Sequence, residues 1–124
     1  MNQTVRTTLE QGRANYAYKC AEEGAAAPKS SEYKAYAKKI SMLIKTNGLG
    51  ATMAFAKSKN ERYQLIYKQI ANWIKNNELF AYDGSKEFVE YIVNQDSPTY
   101  RALTIEVLAF FNWLRRFAEG LIKD

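Results

Sequence analysis

The chain has 124 residues, 47% hydrophobic and 25% charged, which is ordinary globular usage and excludes a disordered chain or a mini-domain that needs staples. It contains no histidine, and this excludes a His-based triad, an ordinary zinc site and the commonest neutral-pH acid–base group. The net charge of +5 is unevenly held: residues 29–75 carry ten basic and two acidic side chains, a local +8, and the remainder stands at −3. A basic middle segment of this kind suits a polyanionic partner. The lone cysteine, Cys20, can form no internal disulfide and fits a reducing compartment. The start, MNQTVRTTLEQ, has no apolar stretch like that of a secretion signal. No run approaches the ~18 apolar residues that would span a bilayer, so a cytoplasmic protein without membrane contact is expected.

In chain order, the apolar spacing predicts a first helix over residues 4–23, with Val5, Leu9, Gly12, Tyr16 and Cys20 on one stripe. Gly24 is expected to end it, and residues 24–30, containing Pro28, to form a loop. A second helix is expected over 31–46, with Tyr33, Tyr36, Ile40, Leu43 and Ile44 inward and Lys34, Lys38, Ser41 and Lys45 on an outward stripe. Asn47-Gly48 reads as a helix break, followed by a short apolar helix over 49–56 and by Lys57 and Lys59. The fourth helix, 60–77, has the cleanest pattern: Tyr63, Ile66, Tyr67, Ile70, Trp73 and Ile74 inward, with Arg62, Lys68, Gln69, Asn72 and Lys75 outward. A connection over 78–84 leads to a fifth helix, 85–93, packed through Phe88, Tyr91 and Ile92.

The last helix, 97–122, is expected to organise the rest. Ser97 is read as its N-cap and Pro98 as a first-turn residue. Its first half is apolar nearly all round, so Leu103, Val107, Phe110, Phe111, Trp113, Leu114 and Phe117 are expected at the centre of a core covered by the preceding helices. No segment alternates at period two. The expected fold is an all-α, single-domain bundle of about six helices over 1–124, with a long buried C-terminal helix.

Two stretches are more specific than periodicity. Asn47-Gly48-Leu49-Gly50 with Ala54-Phe55-Ala56-Lys57, then Tyr100-Arg101, Glu106 and Trp113-Leu114-Arg115-Arg116-Phe117-Ala118, together with Arg13-Ala14, resemble the small helical subunit of Cmr-type (type III-B) CRISPR RNA-guided effector complexes. The resemblance implies a non-catalytic subunit whose copies stack in a short filament beside a catalytic backbone subunit and a large subunit. It also implies crRNA and target RNA as partners, with no cofactor, metal or small-molecule substrate. Asn47, Gly48, Leu49, Gly50, Tyr100, Arg101, Glu106 and Trp113 carry the family pattern, which is largely structural. Arg101 and Glu106 are read as internal or interface ion-pair members.

RNA contact is inferred from charge placement. Lys34, Lys38, Lys39, Lys45, Lys57, Lys59 and Arg116 are the candidate backbone-binding residues, because flexible point charges track phosphates without reading bases. The plainer alternative for the lysines is a solvated helix face. Arg115 and Arg116 can instead complement the negative end of their helix dipole. Most tyrosines fall on inward faces and are expected to pack in the core rather than stack bases, and Cys20 is expected to be a buried structural thiol. A helix-turn-helix regulator built on the second and third helices is the second function considered, and an enzyme using Glu90 or Glu106 the third. Against the second stands the nearly all-apolar third helix; against the third, the lack of a partner carboxylate at a metal-binding spacing.

Overall fold

The computed structural model describes residues 3–123, with side chains from residue 8 onward. Six helices follow in order: α1 (Gln3–Ala26), α2 (Ser30–Asn47), α3 (Leu49–Ser58), α4 (Glu61–Asn76), α5 (Phe88–Val93) and α6 (Ser97–Leu121). All described secondary structure is helical, and the long α6 lies along both α1 and α2. Among the described residues no helix is long and apolar enough to cross a membrane.

The starts and stops have local causes. Asp96 caps α6 through its carboxylate, which accepts the Thr99 N–H (2.9 Å), so the cap lies one residue before the expected Ser97 and Pro98 still falls in the first turn. Asn60 caps α4 by accepting from the Arg62 and Tyr63 amides. Gly48 stands between α2 and α3 at φ 90°, in the left-handed region that an L side chain resists, and its N–H closes α2 on the Ile44 carbonyl (3.0 Å). Gly24 does not end α1, which continues to Ala26. A Cβ built at Gly24 would lie 2.2 Å from the Tyr33 ring, so this glycine permits α1 and α2 to approach closely. The loop is correspondingly short, 27–29, with Lys29 in the left-handed region. The fifth helix also starts later than expected, at Phe88, because residues 83–87 form an Asp83–Ser85 turn and the Tyr82 hydroxyl closes on the Lys86 carbonyl.

One apolar cluster joins all six helices. All six inward residues of α4 are buried, as are Phe88, Tyr91 and Ile92 of α5. On α6, Leu103, Val107, Phe110, Phe111 and Leu114 are buried. Trp113 and Phe117 are only half-buried: Trp113 stacks on Phe117, Phe117 meets Tyr18 edge-on, and the Trp113 indole N–H donates to Glu10 (2.9 Å). Nor is α6 enclosed all round, because Ile105 is 64% exposed. The buried line of α1 is Arg13, Ala17, Cys20, Ala21 and Gly24, rotated from the expected stripe, on which Gly12 is exposed; the Val5 side chain lies outside the described residues.

Two polar links are built into this core. The Glu106 carboxylate of α6 accepts from Arg13 Nε and Nη2, both at 2.9 Å, and from the Trp73 indole N–H at 2.8 Å, tying α1, α4 and α6 together. Arg13 also pairs with Glu10. Its hydrogen bonds to Glu106 raise the Arg13 pKa still further, against the opposing effect of burial. The second link is Gln69, expected outward but buried. Its amide donates to the Cys20 carbonyl (3.1 Å) and to Glu23 (2.9 Å), and accepts the Tyr33 hydroxyl (2.6 Å). Burial raises the pKa of Tyr33 and pushes that of the Cys20 thiol up to about 12.

Candidate nucleic-acid interface

The basic segment 29–75 comprises all of α2 and α3 and nearly all of α4. On α2 the arc of Lys34, Lys38, Ser41 and Lys45 flanks the buried face instead of opposing it. Ser41 is buried and Lys34 is half-buried, with its ammonium group donating to the Ile122 carbonyl (3.4 Å) just beyond α6. Lys38 and Lys45 are exposed. The expected outward stripe of three lysines is therefore an edge of two, since Ser41 is buried and Lys34 turns to the chain just beyond α6.

The other three candidate lysines, Lys39, Lys57 and Lys59, divide between two places. Lys57, at the end of α3, turns to Glu87 (3.0 Å), whose carboxylate also accepts the Tyr67 hydroxyl (2.7 Å). The Tyr67 bond first, and then Lys57, hold the Glu87 pKa below the usual carboxylate value. Lys39 of α2 and Lys59 after α3 come together instead over the Phe55 ring, with ammonium nitrogens 5.9 and 5.1 Å from its centroid. Phe55 is backed edge-on by Tyr63, which stacks on Tyr36 with centroids 3.8 Å apart and an 8° tilt. The Tyr36 hydroxyl accepts from Asn60, the α4 cap.

Phe55, Tyr36 and Tyr63 thus form an aromatic wall with two lysines at its edge. Sequence reasoning names the two lysines but not the aromatic wall, for which its one signal is Phe55 lying two and four residues before Lys57 and Lys59. Beside the wall runs a groove lined by Lys39, Leu43, Asn47, Ala51, Thr52 and Phe55.

Of the residues of the family pattern, Asn47, Gly48, Leu49, Gly50 and Tyr100 gather at the α2–α3 break, whereas Glu106 and Trp113 lie along α6 against α1. The Tyr100 hydroxyl of α6 accepts the Gly50 N–H (2.9 Å), one of the free donors of the first turn of α3. A Cβ on Gly50 would come within 3.2 Å of Val93. Leu49 is buried and Asn47 exposed. Arg101 is exposed beside Tyr100 in a shallow surface groove, while Glu106 pairs with Arg13, so the two do not form one ion pair. Arg116 is exposed on α6, and both it and Arg115 stand before the last turn of the helix, which contains no basic residue.

Leu49, Thr52, Met53 and Ala56 of α3 point into the core, which leaves that helix few side chains for base edges. Among the described residues no group of three or more histidine, cysteine, aspartate or glutamate side chains is placed to hold a metal.

These features define a small all-α protein with a structured basic face and a core pinned by a buried arginine–glutamate pair. A sequence profile of the family described as CRISPR-associated protein (Cas_Cmr5) matches residues 9–121. The CRISPR system Cmr subunit Cmr5 of Thermus thermophilus is 30% identical over 117 residues, covering 94% of this chain and 98% of that protein. The X-ray crystal structure of a CRISPR-associated Cmr5 family protein, also from Thermus thermophilus, superposes with a TM-score of 0.79 at 30% identity, covering 92% of this chain and 97% of that one. The chain belongs to the Cmr5 family, in agreement with the resemblance of its sequence.

Proposed function

We propose that this chain is a non-catalytic structural subunit of a Cmr-type (type III-B) CRISPR ribonucleoprotein in the cytoplasm. Its copies stack in a short filament beside the catalytic backbone subunit and the large subunit, and its basic face contacts the backbones of crRNA and target RNA in defence against invading RNA. Family membership supports the assembly. The observation that carries the RNA contact is the placement of Lys38, Lys39, Lys45 and Lys59 on the exposed side of α2 and at the end of α3. Lysines so placed neutralise phosphates and release counterions without selecting a sequence, which suits a complex whose specificity resides in its guide.

The test is photo-crosslinking of target RNA in the assembled complex, with crosslinked peptides mapped by mass spectrometry. Crosslinks are expected in peptides spanning residues 38–59. Crosslinks to this subunit that fall only on other surfaces, or none at all while the backbone subunit crosslinks efficiently, would overturn the RNA contact.

A further inference from the structure

We infer that the Phe55 groove is a stacking seat for one unpaired RNA base, a role that rests on the proposed RNA contact and adds a preference for single-stranded over fully paired backbone. Phe55 is half-buried, and its ring is held by packing: Tyr63 meets it edge-on and is itself stacked on Tyr36. The side chain therefore presents a pre-positioned ring, so little rotamer freedom remains to be given up when a flat group lies on it.

The two cations near this ring belong to different segments, Lys39 to α2 and Lys59 to the exit of α3. Both are exposed and end flexible stems, so either ammonium group can swing from the ring to a phosphate as a base takes its place. The adjoining groove, about 580 Å³, lies within the range of sites that hold one small ligand (~300–1,000 Å³). Asn47 on its rim offers an amide able both to donate and to accept at a base edge.

Charge complementarity selects the occupant. An acidic peptide would satisfy the lysines but leave the ring uncovered, and an arginine would be repelled by the two lysines. A nucleotide supplies the planar face and the negative charge together, as in single-strand binders.

The experiment uses the purified full-length protein at low salt and two fluorescent RNA strands of equal length and charge: oligoadenylate and a fully abasic ribose-phosphate strand. Phe55→Leu keeps apolar bulk against Tyr63 and is expected to weaken oligoadenylate binding about tenfold, the size of one base–aromatic stack, with abasic binding unchanged. Phe55→Trp should restore the preference for bases. Lys39→Gln with Lys59→Gln should weaken both strands alike. Circular dichroism melting checks that each variant folds.

The stacking seat is overturned if folded Phe55→Leu leaves oligoadenylate binding unchanged or weakens both strands equally, while the lysine variants still lose affinity. The backbone contact would then survive without it. Equal wild-type binding to both strands would likewise overturn it. If the wild type binds neither strand at low salt, the stacking seat falls, and the backbone contact is decided separately by crosslinking in the assembled complex.

Discussion

The protein treats charge in opposite ways at two places. In the core, Glu106 is closed on three sides by Arg13 and the Trp73 indole, and every bond has a fixed length and direction. At the α2–α3 surface, Lys39 and Lys59 lie over a phenylalanine ring and are exposed to solvent. A buried ion pair must be satisfied in full, because an uncompensated charge costs more than the pair contributes, so it fixes how α1, α4 and α6 register. An exposed lysine over a half-buried ring is held only weakly and can be recruited by a phosphate. The core pair is thus a structural device, whereas the surface pair stays open to solvent.

The largest effect expected from breaking this contrast comes from the core. Glu106→Leu leaves the buried Arg13 with only its half-exposed partner Glu10 and the Trp73 indole N–H without its acceptor, and should cost about 3 kcal/mol in chemical denaturation; adding Arg13→Met should recover part of that, since replacing both charges is far less damaging than removing one. If the double variant is no more stable than the single, the pair is not acting as a unit. Gly24→Ala drives a methyl into the Tyr33 ring and should cost about 1–3 kcal/mol by overpacking, read as a fall in melting temperature. Tyr100→Phe removes the acceptor for the Gly50 N–H and should cost about 1 kcal/mol, measured in the same way. At the surface, Lys38→Glu with Lys45→Glu should change stability by less than about 0.5 kcal/mol per site.

Cys20 sharpens the contrast by chemistry. Its thiol is buried and its pKa is pushed from 9.0 up to about 12, so alkylation at pH 8 should be slow in the folded protein and fast in denaturant. The sign for stability follows: a raised acid pKa favours the neutral folded form, so stability is retained below about pH 9 and falls as pH rises from there toward 12. Equal alkylation rates in the folded and denatured protein would show that the thiol is open to solvent.

The two places are unequally legible in the sequence. The inward face of α4 can be read directly, because large apolar residues recur on one side of a helix that is covered on that side only. The inward line of α1 cannot, since Ala17, Ala21 and Gly24 carry little apolar signal and are buried for their small size. Gly24 reads as a helix stop because a glycine that ends a helix and one that admits a neighbouring ring are the same letter. Gln69 is placed outward by its polarity, yet a core joining three helices can bury an amide when all its bonds are met. The basic surface is legible as charge, but the pairing of Lys39 with Lys59 over Phe55 depends on how sharply Gly48 turns α2 into α3, which sequence periodicity does not encode.

The central claim, that the α2–α3 face contacts the RNA backbone, is tested most directly by the salt dependence of target-RNA retention. The assembled complex carrying Lys38→Glu, Lys39→Glu, Lys45→Glu and Lys59→Glu in this subunit should be compared with wild type at several salt concentrations and on unrelated target sequences. Weaker retention on every target is expected, together with a shallower slope of log affinity against log salt, by roughly 0.7 for each single-strand phosphate that is no longer neutralised. A complex that assembles normally and shows the wild-type affinity and slope on every target would contradict it and leave the subunit with protein–protein contacts alone.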